Sequence, residues 1–202
     1  MLQVVAKRKT REEILELSVP LFARYGYDGV AMRDIASTVG VTPAALYYHF
    51  PDKENLYLDV VAYAFEERLA VLKKILAGGG SPRQRLEEFI TENARVMATD
   101  KNFIRLMQWA ALDSNEARLQ KLSHCVFKDL FIAIYHLASE LDDRYDPHLL
   151  AISIIGLVYF HFEAGATRHL MPGYLPHQDD PQVVAEHVIQ LLHDSISETV
   201  TY

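Results

Sequence analysis

Residues 26–53 read GYDGVAMRDIASTVGVTPAALYYHFPDK, and this stretch decides the fold. A helical pattern of apolar residues begins at Met32. Gly40 follows it, where a sharp turn between two helices needs the positive φ that glycine adopts without steric cost. Thr42-Pro43 then restarts the chain as a helix of barely two turns, since proline is tolerated at the first helical position. The pattern predicts a helix-turn-helix.

The second helix of this unit carries small residues first and polar aromatic residues later. Ala44 and Ala45 would let the backbone approach the floor of a major groove, where alanine packs against a thymine methyl group. The Tyr47-Tyr48-His49 cluster and Lys53 suit phosphate contacts, which position a protein on DNA. A small helical hairpin inside a core is the alternative interpretation. The basic cluster upstream favours DNA, and it consists of Lys7, Arg8, Lys9 and Arg11.

Most of the chain is predicted to be helical, and several helix starts are marked by capping residues. Thr10 and Glu13 have the spacing of a capping box, as do Ser81 and Gln84. Four helices are predicted to begin at a proline that follows a capping residue, at Thr42-Pro43, Ser81-Pro82, Asp146-Pro147 and Asp180-Pro181. The sequence therefore predicts an all-α fold of about nine helices, near residues 10–25, 32–39, 43–49, 53–77, 82–99, 101–112, 115–141, 147–170 and 181–199.

Charge is distributed unevenly along the chain, whose formal net charge is −7. Residues 1–53 hold 7 basic and 6 acidic groups, and the remaining residues hold 13 and 21. The two parts therefore carry net charges of +1 and −8. This asymmetry favours one end that faces DNA and another that faces something else.

Several classes of protein are disfavoured by what the sequence lacks. No apolar run reaches the roughly 18–20 residues of a membrane span, and residues 1–9 lack the order of a signal peptide, so a cytoplasmic protein without membrane contact is expected. The single cysteine, Cys125, excludes an intramolecular disulfide and a cysteine-rich zinc module. Glu-x-x-His pairs, phosphate loops and nucleophile elbows are missing, so we expect no enzyme, metal or cofactor.

Residue types and spacings over residues 8–57 resemble the N-terminal signature of the tetracycline-repressor (TetR) family. The resemblance rests on Phe22, Gly26, Gly29, Arg33-Asp34-Ile35-Ala36, Gly40-Val41, Leu46-Tyr47-Tyr48-His49-Phe50, Lys53 and Leu56. It implies a DNA-binding domain at residues 1–53 and a helical effector-binding and dimerisation domain at 54–202. By the same resemblance, the residues that would line DNA are Arg33, Thr42, Pro43, Ala44, Ala45, Tyr47, Tyr48, His49 and Lys53. Those nearest bases would be Pro43, Ala44 and Tyr48, and those nearest phosphates Thr42, Tyr47, His49 and Lys53.

One position departs from the family pattern. Members of the family usually begin their second helix after a threonine or serine, where this chain has Ala31. Alanine cannot cap a helix, which costs about 1 kcal/mol relative to those residues, and it removes a phosphate contact. Asp34, near the helix start, offsets part of this loss through the helix dipole.

The last two predicted long helices are candidates for self-association. The segment 149–158 is apolar nearly all round, so it must be covered on several sides. In the resembled family, two such helices from each subunit form a four-helix dimer interface, although ordinary packing within one chain is the alternative. The residues predicted at the dimer interface are Ile152, Gly156, Gly165, Val184, Val188 and Leu191.

An effector site is expected among the helices between residues 53 and 170. Aromatic and sulfur-containing residues at helical spacing line such cavities, but they also make up ordinary cores. Arg168 would suit a carboxylate or phosphate of the effector, and pairing within the bundle is its alternative. The predicted effector-binding residues are Met107, Trp109, Cys125, Phe131, Tyr135, Tyr159, His161, Phe162 and Arg168.

The resemblance implies a ligand-responsive repressor. It would bind double-stranded operator DNA of palindromic sequence as a homodimer and would be released by a small-molecule effector. Release would follow when the effector shifts the helix that begins near Lys53, which leads directly from the DNA-reading unit. The alternatives are an activator or a ligand-independent regulator of the same fold and, further away, a helical enzyme or a helical adaptor.

Overall fold

The computed structural model describes residues 9–196, and these residues form α-helices joined by short turns. No strand occurs in this range, so the all-α prediction is confirmed. The helices are α1 Arg11–Tyr25, α2 Met32–Val39, α3 Pro43–His49, α4 Lys53–Leu76, α5 Pro82–Thr99, α6 Lys101–Ala111, α7 Glu116–Leu122, α8 Lys128–Leu141, α9 Pro147–Glu163, α10 Gly165–Arg168 and α11 Pro181–Ser195.

Capping residues fix the starts of the helices. Thr10 and Glu13 form the expected capping box at α1, and Ser81 and Gln84 form another at α5. All four helices predicted to begin at proline do so, at α3, α5, α9 and α11. In each of them the preceding side chain accepts a hydrogen bond from a backbone N–H of the first turn, which would otherwise lack a helical partner.

Three predicted helices end or continue differently in the structure. The helix predicted at 115–141 is interrupted by a π-helical turn, Ser123–Phe127. The helix predicted at 147–170 ends at Glu163, because the backbone leaves helical geometry at Ala164 and Gly165 follows, a residue with poor helix propensity. The last helix ends at Ser195, since Ile196 is extended. Residues 197–199, which were predicted to continue it, lie outside the described range.

The chain divides into two compact units. The first unit comprises the described residues up to Glu67 together with Arg105–Val126. Its interior is built from apolar side chains that are almost fully buried, and these include Phe22 of α1, Ile35 of α2, Leu46 of α3 and Tyr57 of α4. The short helices of the predicted helix-turn-helix are therefore held by a shared core.

The second unit comprises Arg68–Ile104 and the described residues from Phe127 onward. Helices α5, α8, α9 and α11 pack on one another around a continuous apolar core. An ion pair between Arg85 of α5 and Glu140 of α8 lies at the edge of this core. Among residues 9–196, no helix combines the length and apolar character that crossing a bilayer requires.

Candidate functional site

Helix α3 presents a polar aromatic surface to solvent. Tyr48 is 74% exposed and Tyr47 is 52% exposed, and Ala44 is exposed near the start of the helix. Leu46 and Phe50 are completely buried and anchor the opposite side. The helix is therefore fixed through its apolar side, while the residues predicted to read DNA face outward.

The remaining predicted DNA-facing residues lie on the same helix-turn-helix. Arg33 is exposed on α2, and Thr42 and Pro43 are exposed at the start of α3. Ala45 and His49 are half-buried. The Thr42 hydroxyl accepts a hydrogen bond from the Ala45 N–H at 3.2 Å, so it caps α3 in addition to being accessible from solvent.

The turn between α2 and α3 has the geometry that the sequence predicts. Gly40 has φ 77° and ψ 36°, which is the left-handed conformation. The Val41 N–H then donates to the Ala36 carbonyl at 2.9 Å and closes the turn. At the start of α2, the Ala31 N–H donates to the Asp34 carboxylate at 3.2 Å. Alanine has no side-chain acceptor, so only this half of a capping box forms.

Lys53 is half-buried, and its ammonium is bound by backbone carbonyls, which the predicted phosphate contact did not include. Its Nζ donates to the Tyr27 carbonyl at 2.9 Å and to the Val30 carbonyl at 3.1 Å. The same ammonium lies 4.1 Å from the centre of the Tyr27 ring. Lys53 thus ties the turn after α1 to the start of α4, and its contact with phosphate stays a prediction.

Only part of the basic cluster near the N-terminus lies within the described residues. Lys7 and Arg8 lie outside the described residues. Lys9 lies 3.9 Å from the Glu13 carboxylate. Arg11 pairs with Asp59 of α4, and its guanidinium lies 5.1 Å from the centre of the Phe50 ring. The described half of the cluster therefore also braces α1 within the first unit.

Trp109, a predicted effector residue, packs against the end of α1. Its indole N–H donates to the Ala23 carbonyl at 3.1 Å. A Cβ placed on Gly26 would lie 2.7 Å from the indole ring, so only glycine fits beneath it. Met107 is half-buried on α6, and Cys125 is an exposed free thiol in the π-helical turn. These three residues belong to the first unit.

The other six predicted effector residues belong to the second unit. Phe131 and Phe162 are half-buried against its core, and Tyr135 is exposed. Tyr159 is half-buried, and its pKa is raised by burial and then by the Glu163 carboxylate. His161 Nδ1 forms a hydrogen bond with the Leu157 carbonyl at 2.7 Å.

Arg168 has partners within its own unit. It forms an ion pair with Asp179, and Nη1 donates to the Gln178 carbonyl at 3.0 Å. The Tyr174 hydroxyl donates to the same Asp179 carboxylate at 2.7 Å. Of the two interpretations of Arg168, pairing within the protein is the one that the structure shows.

Asn93 on α5 is a buried polar residue that the sequence analysis missed. Its exposure is 4%, and it lies among apolar residues of the same helix. A buried amide offers both hydrogen-bond donors and an acceptor to a ligand. An asparagine among the apolar positions Phe89, Ile90 and Met97 is the sequence signal that would have identified it.

The predicted dimer residues fall into two groups. Ile152 is 51% exposed on α9, Leu191 is exposed on α11, and a Cβ at Gly156 or at Gly165 would meet open space. Leu149 and Phe160 extend the exposed apolar side of α9. Val184 and Val188 are buried in their own unit, where α11 packs against α5, and their place at a dimer interface stays a prediction.

Comparison with known proteins places one part of the chain in a known family. Residues 14–60 match the family model described as bacterial regulatory proteins of the tetR family. The transcriptional repressor KstR of Mycolicibacterium smegmatis is 25% identical over 72% of this chain and 78% of its own length. The transcriptional repressor AcnR of Corynebacterium diphtheriae is 39% identical over 35% of each chain.

The fold of most of the chain is shared with solved regulators. The structure of FadR from Bacillus subtilis in complex with stearoyl-CoA aligns with a TM-score of 0.77, covering 93% of this chain and all of that chain at 18% identity. The structure of AibR in complex with isovaleryl coenzyme A and operator DNA aligns with a TM-score of 0.68, covering 90% of this chain and 97% of that chain at 22% identity. The exposed α3 surface, the family match and these relatives lead to one conclusion: residues 14–60 of the chain belong to the TetR family of bacterial regulatory proteins.

Proposed function

We propose that the protein is a cytoplasmic transcriptional repressor that binds a palindromic operator as a homodimer and is released by a small-molecule effector. The observation that carries this proposal is the outward-facing surface of α3, where Ala44, Tyr47 and Tyr48 are exposed while Leu46 is buried. A helix held in this way enters a major groove with its exposed side chains facing base edges and phosphates.

The dimer in this proposal is formed through α9 and α11. Ile152, Gly156 and Phe160 lie on one side of α9 at helical spacing, and this side is apolar and accessible. Contiguous apolar surface of this kind favours association with another protein surface. In a two-fold dimer the same side of α9 meets its own copy, and the two α3 helices are repeated about the axis.

An acyl thioester is the effector class that we propose. FadR of Bacillus subtilis and AibR, which share this fold, were solved with stearoyl-CoA and isovaleryl coenzyme A. In this chain the half-buried Phe131, Tyr159 and Phe162 offer apolar contacts for an acyl chain. The buried Asn93 amide suits the carbonyl oxygen of a thioester, which accepts a hydrogen bond.

Replacement of Tyr48 tests the DNA-binding part of the proposal. We expect Tyr48→Ala to weaken binding to the DNA upstream of the protein's own gene by ~10-fold or more, because a contact to a base or phosphate is lost. Fluorescence anisotropy measures the affinity, and far-UV circular dichroism checks that the fold is unchanged. Tyr135→Ala removes an exposed tyrosine from α8 and serves as the control. If Tyr48→Ala bound the DNA as tightly as Tyr135→Ala, α3 would not be the recognition surface.

A titration with acyl-CoA compounds of short, medium and long chain tests the effector part. We expect at least one of them to release the DNA, and we expect Asn93→Leu to raise the concentration needed by ~10-fold, since a buried hydrogen bond is lost. Operator affinity without effector should not change in this variant. Asn102→Leu is the matched control. Release that is equally sensitive in the wild type and in Asn93→Leu would exclude Asn93 from the effector site.

A further inference from the structure

A group of charged and aromatic residues surrounds Tyr27 in the turn between α1 and α2. The Arg118 guanidinium carbon lies 3.8 Å from the centre of the Tyr27 ring, and the Lys53 ammonium lies 4.1 Å from it. The Tyr57 ring of α4 meets Tyr27 edge-on at 5.3 Å. We call Tyr27, Lys53, Asp113 and Arg118 the Tyr27 cluster. It joins residues of the helix-turn-helix to a segment that follows much later in the chain.

Arg118 is held in place by a buried ion pair. Its side chain is 7% exposed and that of Asp113 is 4% exposed. Arg118 donates to both carboxylate oxygens of Asp113, with Nη2 at 2.6 Å from one of them, and the Asn115 N–H donates to the carboxylate at 2.9 Å. This fork geometry fixes the guanidinium, and Asp113 offsets its charge. The cations of Arg118 and Lys53 can therefore both lie close to the Tyr27 ring, because Asp113 offsets the charge of Arg118.

The other side of the cluster reaches the DNA-reading helices. Lys53 is the first residue of α4, and its ammonium holds the carbonyls of Tyr27 and Val30. Val30 lies two residues before α2 begins, and α3 ends four residues before Lys53. The position of Tyr27 thus bears on where α2 and α4 begin and, through them, on α3.

The grouping of residues into units supports the same connection. Arg105–Val126 belong to the compact unit that contains the helix-turn-helix, although the sequence separates the two by many residues. Trp109 adds a second anchor through its hydrogen bond to Ala23. The segment enters this unit within α6 and leaves it within the π-helical turn, so it is covalently continuous with the second unit at both of its ends.

We propose that Arg118 is a positioning residue for DNA binding, which acts through Tyr27 and Lys53 to hold α2, α3 and α4 in the arrangement that fits the operator. This proposal rests on the DNA-binding function proposed above. It makes the Tyr27 cluster the place where a movement of the segment Arg105–Val126 alters operator affinity.

Operator affinity of variants at Arg118 and Tyr27 tests the proposal. Arg118→Met keeps the length of the side chain but removes the cation, and we expect ~10-fold weaker binding, the scale of a lost cation–π contact. Arg118→Lys, which retains a cation, should restore part of this loss, and Tyr27→Phe, which retains the ring, should bind like the wild type. Tyr27→Leu should match Arg118→Met. In the double variant Arg118→Met/Tyr27→Leu the loss of affinity should be smaller than the sum of the two single losses, because the contact between the guanidinium and the ring is removed in both.

The measurements are made by anisotropy on full-length protein, at a temperature where circular dichroism shows every variant folded. Lys121→Met is the control, since this residue lies on the same helix and pairs with Glu54 at the surface. A role limited to stability would lower the melting temperature and leave the affinity of the folded Arg118→Met protein equal to that of the wild type, and this result would overturn the proposal. If the wild type itself bound no DNA specifically, the proposed DNA-binding function would be refuted instead.

Discussion

Gly26 and Gly40 both adopt positive φ, but their surroundings differ. Gly26 has φ 67° and ψ −174°, a region that only glycine occupies readily, and the Trp109 ring covers it. Gly40 has φ 77°, and a Cβ added there would meet nothing within 4 Å. The sequence predicts the need for glycine at the second position from the helix-turn-helix pattern. The sequence gives no indication that Trp109 covers Gly26, because these two residues are far apart in the chain.

Alanine substitution separates these two requirements. We expect Gly40→Ala to lower the free energy of unfolding by about 1–2 kcal/mol, the cost of a left-handed backbone with a Cβ. Gly26→Ala should cost more, by roughly a further 1–3 kcal/mol, because the methyl group collides with the indole. Urea unfolding monitored by circular dichroism measures both. Trp109→Ala in the Gly26→Ala background should recover part of the excess, and equal costs for the two single variants would contradict the packing seen here.

Asp113 links stability to pH. Burial alone would raise its pKa, but hydrogen bonds from Arg118 and from the Asn115 backbone outweigh burial and bring the pKa below its ordinary value of 3.8. A carboxylate with a depressed pKa stabilises the fold above its ordinary pKa, and this contribution is lost as the pH falls through the pKa of the folded state.

Asp113→Asn tests this linkage. At neutral pH the variant should lose about 3–5 kcal/mol, because Arg118 stays buried without a charged partner. The difference in stability between wild type and variant should stay constant down to about pH 4 and shrink as the pH falls further. Thermal unfolding between neutral pH and strongly acidic pH measures it. A difference that stayed the same at the lowest pH would mean that the carboxylate charge plays no part.

At the scale of helices, starts are better predicted from sequence than interruptions. A proline after a capping residue marks a helix start by local chemistry alone, and all four such starts are present. The π-helical turn Ser123–Phe127 has no comparable local signal. The break after Glu163 lies next to Gly165, which is a local signal. The contacts of Arg168 with Gln178 and Asp179 follow it, and they depend on residues later in the chain.

The accessible side of α9 supports a prediction about assembly. Ile152→Glu places a charge on the apolar surface proposed to meet a second copy, so we expect monomers where the wild type forms dimers. Sedimentation velocity measures the change. Ile132→Glu alters an exposed isoleucine of α8 in the same way and should leave the dimer intact. If Ile152→Glu remained dimeric and Ile132→Glu became monomeric, the interface would have to be assigned to α8.

At the scale of the molecule, the predicted and unpredicted features differ in the range of the contacts behind them. The exposed residues of α3 follow from helical periodicity, which is why Tyr48 and Leu46 fall on the expected sides. The roles of Trp109 and Arg118 depend on contacts with residues far away in sequence, such as the hydrogen bond from Trp109 to Ala23 across 86 positions. Helical patterning places such residues on a face, but it does not identify the partner that covers them.

Selection of binding sites from a library of random-sequence duplexes tests most directly whether α3 reads DNA in duplicate. We expect enrichment of a palindrome whose half-sites are centred about 10 base pairs apart, or a multiple of this, because two α3 helices related by a two-fold axis enter major grooves about 34–36 Å apart. Tyr48→Ala should lose this enrichment. A wild-type protein that enriched no motif, or a single motif without two-fold symmetry, would contradict the account.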